Sequence, residues 1–149
     1  QGPNWLSDPA WAKNALILMN CWNAGGSMVI YLAGLQGIPR SYYEAAEVDG
    51  AGALRKFFSI TLPLLSPSIF YNLIIGIIGA LQTFSTALVM TDGGPVNSTT
   101  FYVLTLYRRA FEDMRMGYAS AMAWVLMVVT LLLTLVVFWI GNKKVYYEQ

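Results

Sequence analysis

The chain has 149 residues, of which 56% are hydrophobic and 11% are charged, and its net charge is +1. A soluble domain carries about 25% charged residues, so the composition argues against a water-soluble globular protein. The near-neutral charge gives no indication of nucleic-acid binding, and the single cysteine, Cys21, excludes a disulfide framework. The chain begins Gln-Gly-Pro without an initiator methionine, and we interpret it as an internal or C-terminal portion of a longer protein.

Three long stretches without a charged residue dominate the sequence. They comprise 21, 35 and 26 residues, at Ala15–Leu35, Phe57–Thr91 and Gly117–Asn142. About 20 apolar residues cross the hydrocarbon core of a bilayer as a helix, whereas helices of soluble proteins are usually shorter. The sequence therefore predicts an all-α membrane protein with three transmembrane helices, at about 15–35, 68–90 and 117–140.

The first two predicted spans contain polar and small residues. Before the first span, Trp5 and Trp11 are typical of a membrane–water interface. Polar side chains are costly in lipid, so we expect those within the spans to face protein or a cavity. The polar and small residues of the first span are Asn20, Asn23, Gly25, Gly26 and Ser27, and the polar residues of the second are Asn72, Gln82, Thr83, Ser85 and Thr86.

The most polar part of the chain, about 40–63, separates these two spans. Ser41 and Glu44 have the spacing of a capping box, which predicts a short helix that starts at Ser41 and ends near Gly50. A second short amphipathic helix is predicted from Ala53 to Leu62, before prolines redirect the chain into the second span. The residues alone leave two interpretations open, a connector helix that Glu44 caps and a compact knob that docks on a partner.

A turn at Thr91–Pro95 follows the second span. The segment 101–115 is too short and too charged to cross a membrane, and its spacing predicts an amphipathic helix at the interface. The third span is the most continuously apolar, and Lys143 and Lys144 follow it. The basic residues divide almost evenly between the two sides, so charge alone does not decide the topology.

The loop 40–63 resembles the E-A-A loop of importer-type ABC permeases, whose pattern is roughly E-A-A-x-x-x-G-A-x-x-x-x-x-F-x-x-I-x-L-P. Every position is filled at the expected spacing by Glu44, Ala45, Ala46, Gly50, Ala51, Phe57, Ile60, Leu62 and Pro63. The flanking strings L-A-G-L-Q-G-I-P, T-D-G-G-P and Y-R-R-A-F are similar to the carbohydrate-importer permeases, including those for maltose and glycerol 3-phosphate. The resemblance covers essentially the whole chain and implies the C-terminal three spans of a type I ABC importer permease.

In that family the E-A-A loop is a cytoplasmic coupling helix that docks on the partner ATPase. The resemblance therefore implies that the ATPase-coupling residues are Glu44, Ala45, Ala46, Asp49, Gly50 and Ala51. The residue types suit this role, because small alanines permit close approach and carboxylates offer charges for pairing. Capping and docking are compatible roles for Glu44.

The resemblance also indicates a path for the solute through the first two spans. Amides, hydroxyls and aromatic faces suit sugars, which present hydroxyl groups around an apolar ring. Positions at or near the sugar contacts of the maltose permease are Trp22, Asn23, Gly26, Gly79, Ala80, Gln82 and Thr83. The amide- and phenylalanine-rich stretch of that permease is replaced here by Gly79–Thr83, which argues against maltose as the solute. Close helix packing is the alternative explanation for the glycines.

These features predict a permease subunit that moves a sugar or oligosaccharide while a partner hydrolyses ATP. An intramembrane enzyme is disfavoured, because the chain has no histidine, no paired carboxylates within a span, and neither a catalytic nor a metal site. A non-transporting assembly or receptor subunit is the remaining alternative. Without a Walker A string, ATP and magnesium are expected on partner subunits. The expected partners are a second permease subunit, an ABC ATPase dimer, a solute-binding protein, a sugar-like solute and the lipid bilayer of a bacterial or archaeal cytoplasmic membrane, which the protein would cross several times.

Overall fold

The computed structural model describes residues 4–22 and 24–141, and these are all-helical, without a β-strand. In that part of the chain, nine α-helices and two π-helical turns follow one another. The α-helices are α1 Pro9–Trp22, α2 Gly25–Gln36, α3 Arg40–Val48, α4 Ala53–Lys56, α5 Leu62–Leu64, α6 Ser66–Leu81, α7 Ser85–Thr91, α8 Tyr102–Tyr107 and α9 Met116–Gly141, and the π-helical turns are Phe57–Thr61 and Arg108–Glu112.

Among the described residues, two segments are long and apolar enough to cross a membrane. They are Pro9–Gln36, which contains α1 and α2, and Met116–Gly141. A third candidate exists if Ala53–Leu64 and Ser66–Leu81, bent by 64° at the break between them, count as one span. The first stretch begins earlier than the predicted 15–35, because the Asp8 carboxylate accepts a hydrogen bond from the Ala10 amide at 3.0 Å. Pro9 then occupies the first helical position, where a missing N–H costs nothing.

The helix is interrupted within the predicted span 68–90. Helix α6 ends at Leu81 and α7 begins at Ser85. At the end of α6, the Thr83 hydroxyl donates to the carbonyls of Gly79 and Ala80, at 3.2 and 3.1 Å. Such bonds offer the backbone an alternative to the helical ladder, and Gly79 adds low helix propensity. The apolar length of 68–90 was therefore a poor guide to helical continuity.

The chain forms two compact units, of which the first comprises 4–22 and 76–134 within the described residues. In this unit α1 packs on α7, and the buried alanines Ala12 and Ala87 permit that approach. A threonine-rich loop follows α7, where the hydroxyls of Thr91 and the fully buried Thr99 lie 2.6 Å apart. Arg108 closes the loop by donating to the Asp92 carbonyl and carboxylate, at 2.6 and 2.8 Å.

The segment 101–115 is only partly the interfacial helix that the sequence predicted. Helix α8 continues into the π-helical turn Arg108–Glu112. Leu104 is fully buried, and the ring of Tyr107 lies 5.1 Å from that of Phe84. Much of its apolar side therefore packs within the first unit.

The second unit comprises 24–75 and 135–141 within the described residues. A close helix contact lies at Gly34 of α2, where a β-carbon would come within 2.8 Å of the Ser68 hydroxyl and 2.9 Å of a Leu65 methyl group. The rings of Phe70 and Phe138 lie 5.5 Å apart. A small residue at position 34 thus lets α2 approach the start of α6 without displacing these side chains.

We expect Gly34→Val to lower the apparent unfolding temperature of the detergent-solubilised protein. The branched side chain would overlap Ser68 and Leu65, and such overpacking typically costs about 1–3 kcal/mol. Gly26→Val is the matched control, because Gly26 lies on the same helix and has no atom within 4 Å of an added β-carbon. An equal loss of stability in both variants, measured by thermal unfolding, would contradict the close contact.

Candidate functional site

Helix α3 carries the residues of the E-A-A motif, and it begins differently from the prediction. The helix starts at Arg40, directly after Pro39, whose backbone is extended at φ −60° and ψ 135°. No side chain caps its N-terminus, so the predicted capping box between Ser41 and Glu44 is wrong. Pro39 fixes the chain direction at the entry, and Ser41 already lies inside the helix. The exposed Glu44 carboxylate makes no hydrogen bond or ion pair with any described residue and is available to a partner.

The C-terminal end of α3 is a Schellman motif centred on Gly50. The Gly50 amide donates to the Glu47 carbonyl at 2.9 Å, and the Ala51 amide donates to the Ala46 carbonyl at 2.9 Å. This pairing requires a left-handed backbone after the last helical turn, and Gly50 has φ 71°. The E-A-A and G-A halves of the motif are therefore joined by a hydrogen bond, from Ala51 to Ala46.

Two side-chain contacts hold α3 against the chain that returns towards α6. The Lys56 ammonium donates to the Glu47 carboxylate at 2.7 Å. One helical turn earlier on α3, the Tyr43 hydroxyl lies 2.9 Å from the hydroxyl of Thr61, which is largely buried. We call these two contacts the brace. They fix the orientation of α3 relative to Ala53–Leu64 at two points.

The electrostatics of the brace are those of an exposed ion pair. The hydrogen bond from Lys56, together with its positive charge, lowers the pKa of the Glu47 carboxyl. A carboxyl with a lowered pKa stabilises the folded state at neutral pH, and this contribution is lost as the pH falls through the folded-state pKa. Because exposed ion pairs are worth little in stability, the pair serves to orient α3.

A cleft of about 550 Å³ lies between the end of α3 and the following helix. Ala46 and Ala51 form one wall, and Arg55 and Ser59 lie opposite them. The exposed tip of α3 is apolar, with Val48 89% exposed. The surface formed by α3 and Asp49–Ala51 therefore combines small residues, unpaired charge and an apolar tip. It is suited to contact with a protein.

Within the first unit, the structure places the predicted solute-path residues at two cavities and at the end of α6. In the first unit, Trp22 lines a cavity of about 600 Å³, whereas Gln82 lines a separate cavity of about 340 Å³ against α9. Gly79, Ala80 and Thr83 meet only at the end of α6, where the Thr83 hydroxyl bonds the other two carbonyls. Gly26 lies on α2 in the second unit. Asn23 lies outside the described residues.

Several residues of the brace and of the first cavity were not predicted from the sequence. Lys56, Tyr43 and Thr61 form the brace, and Met19, Val89 and Met90 line the first cavity beside Asn20, Trp22, Ser85 and Thr86, which the sequence had singled out. The brace joins residues that lie 9 and 18 positions apart across a turn. Spacing rules predict neighbours within one helix, so nothing in the sequence pointed to these pairs.

Comparison with known proteins gives consistent matches over nearly the whole chain. The family described as "Binding-protein-dependent transport system inner membrane component" matches residues 3–143. The probable ABC transporter permease protein YesP of Bacillus subtilis is 49% identical over 97% of this chain and 48% of its own length. The sulfoquinovosyl glycerol transport system permease protein SmoG of Agrobacterium fabrum is 46% identical over 91% of this chain and 44% of its own length.

A solved structure shares the fold. It belongs to a bacterial ABC transporter involved in the import of the acidic polysaccharide alginate, with a TM-score of 0.84 and 28% identity. The match covers 95% of this chain and 50% of the other. The chain spans about half the length of the curated relatives that it matches.

We expect Lys56→Met to raise the pKa of Glu47 towards its ordinary value. The substitution removes the hydrogen bond and the positive charge that lower that pKa. A carboxyl-labelled glutamate titration by NMR would measure this change, with Glu47→Gln identifying the signal. Arg40→Gln is the control, because Arg40 lies on the same helix without pairing with Glu47. An unchanged Glu47 titration in Lys56→Met would contradict the ion pair.

Proposed function

The chain belongs to the family of binding-protein-dependent transport system inner membrane components, and on that premise we propose that it is part of the permease subunit of an ATP-driven importer. In this proposal it supplies membrane helices that alternate between inward- and outward-facing arrangements. ATP and magnesium are held by an ABC ATPase dimer, and this chain performs no catalytic step itself. A second permease subunit and a solute-binding protein complete the assembly in the cytoplasmic membrane.

The main structural support for this proposal is that the end of α3 is exposed while the brace fixes the orientation of the helix. Glu44 and Ala45 are exposed and free of contacts that would occupy them, while Gly50 shapes the end of the helix. A surface that transmits movement needs a fixed orientation relative to the membrane helices behind it, and the brace provides two fixed points. We infer that the ATPase receives this surface through Glu44, Ala45, Ala46, Asp49, Gly50 and Ala51.

The solute class follows from the relatives and from the side chains along the expected path. Relatives are named as permeases for sulfoquinovosyl glycerol, lactose and sn-glycerol 3-phosphate, which are all polyhydroxylated molecules. We infer that this chain serves a sugar or sugar-derived solute. Trp22 offers an exposed aromatic face, and Gln82 an exposed amide, which suit sugar rings and hydroxyls. Asn23, Gly26, Gly79, Ala80 and Thr83 remain the other proposed path positions.

We expect Gly50→Val to reduce solute transport per ATP hydrolysed in proteoliposomes that contain the complete transporter. Valine at φ 71° is strained by about 1–2 kcal/mol, so the Schellman end and the tip of α3 should be displaced. Gly52→Val is the matched control, because Gly52 has φ −67° and open space around its α-carbon. Glu44→Lys should reduce coupling without displacing the helix.

The assembled complex must be recovered with each variant, so that loss of assembly is distinguished from loss of coupling. Transport and ATP hydrolysis that remain coupled in both Gly50→Val and Glu44→Lys would contradict the assignment of α3 to the ATPase. A defect in Gly52→Val equal to that in Gly50→Val would show that the effect arises from bulk in the loop rather than from the left-handed turn.

A further inference from the structure

The helical stretch Ala53–Leu64 has an apolar side that no other part of the described chain covers. Leu54, Phe57 and Phe58 are 77%, 47% and 62% exposed. Residues spaced by three and four lie on the same side of a helix, and the two phenylalanine rings pack edge to face with centroids 5.2 Å apart. The three side chains thus form one continuous surface, which we call the apolar face.

The other side of the same stretch is polar and faces α3. Lys56 pairs with Glu47, and Ser59 lines the cleft beneath the end of α3. Arg55 also borders this cleft, but its side chain is exposed and forms no ion pair with any described residue. On a helical wheel Arg55 lies between the polar side and the apolar face. An amphipathic helix with a cation at the margin of its apolar side is the pattern of a segment that lies at a membrane surface.

The direction of this stretch relative to the next helix agrees with that pattern. The two are bent by 64° at the break between Leu64 and Ser66, and Ser66–Leu81 contains no charged residue. A helix that crosses the bilayer at Ser66–Leu81 leaves Ala53–Leu64 closer to the membrane plane than to its normal. Continuation of the same span is disfavoured, because Arg55 and Lys56 would then enter the hydrocarbon core, where charged side chains are costly.

We propose that the apolar face is seated on the lipid bilayer, with Leu54, Phe57 and Phe58 at the boundary between headgroups and acyl chains. Arg55 then lies at the level of the headgroup phosphates, which carry the complementary charge. The brace connects this anchored stretch to α3, so α3 is held at a fixed height above the membrane. The bilayer contact is independent of what α3 binds, and it stands even if the ATPase docks elsewhere.

Spin labels in the assembled full-length transporter test this proposal. Native cysteines, including Cys21, are replaced, and single cysteines are introduced as Leu54→Cys and Phe58→Cys. Ser59→Cys is the matched control, because it neighbours Phe58 but lines the cleft. The complexes are placed in nanodiscs of phosphatidylcholine and phosphatidylglycerol. Accessibility of each nitroxide to oxygen, which concentrates in lipid, is compared with accessibility to a water-soluble nickel chelate.

Labels at positions 54 and 58 should be more accessible to oxygen than to nickel, and the label at 59 should show the reverse ratio. Nickel accessibility at both 54 and 58 would overturn the proposal, because the face would then lie in water. Low accessibility to both reagents would also overturn it, since a protein subunit would cover the face. Oxygen accessibility at 59 equal to that at 58 would place the whole stretch inside the hydrocarbon core and would contradict a surface position. None of these readings depends on ATP hydrolysis, so they are separate from the coupling test.

Discussion

The left-handed backbone at Gly50 is the constraint on which the loop between α2 and α6 depends. It allows the amides of Gly50 and Ala51 to bind the last carbonyls of α3, and the chain then reverses within a few residues. The reversal is what places Lys56 beside Glu47 and Thr61 beside Tyr43. The turn and the two contacts together hold α3 in a defined orientation relative to the helical stretch Ala53–Leu64.

This geometry gives a physical reason for the spacing of the E-A-A motif. Ala46 is the third residue from the end of α3, and Ala51 follows the left-handed glycine, so the Schellman hydrogen bond requires the interval between them. Small side chains at both positions leave the cleft open. Glu44 and Ala45 directly precede Ala46 on the exposed helix surface. The motif thus encodes both the end of a helix and the surface that this helix presents.

The sequence predicted the helical class and the resemblance to carbohydrate-importer permeases, and the family match and the relatives confirm both. Both can be recognised within short segments of the sequence, the helical class from the length of the apolar stretches and the family from the complete E-A-A motif. Element boundaries were less predictable: Pro39 rather than Ser41 sets the start of α3, and the Thr83 hydroxyl diverts the backbone at the end of α6. The brace could not be predicted from the sequence, because its residues come together only when the chain folds back across the turn after α3. The positions expected to line the solute path stay predictions.

The proposed contact between the tip of α3 and the ATPase can be tested by site-specific photo-cross-linking in the intact transporter. A photoreactive amino acid at Val48, which is 89% exposed, would be activated in the intact transporter, and the linked product identified by mass spectrometry. The exposed Asn97, in the loop between α7 and α8, is the reference position. We expect a covalent product with the ATPase subunit from position 48 and none from position 97. Products from position 48 that contain only lipid or the second permease would contradict contact between α3 and the ATPase.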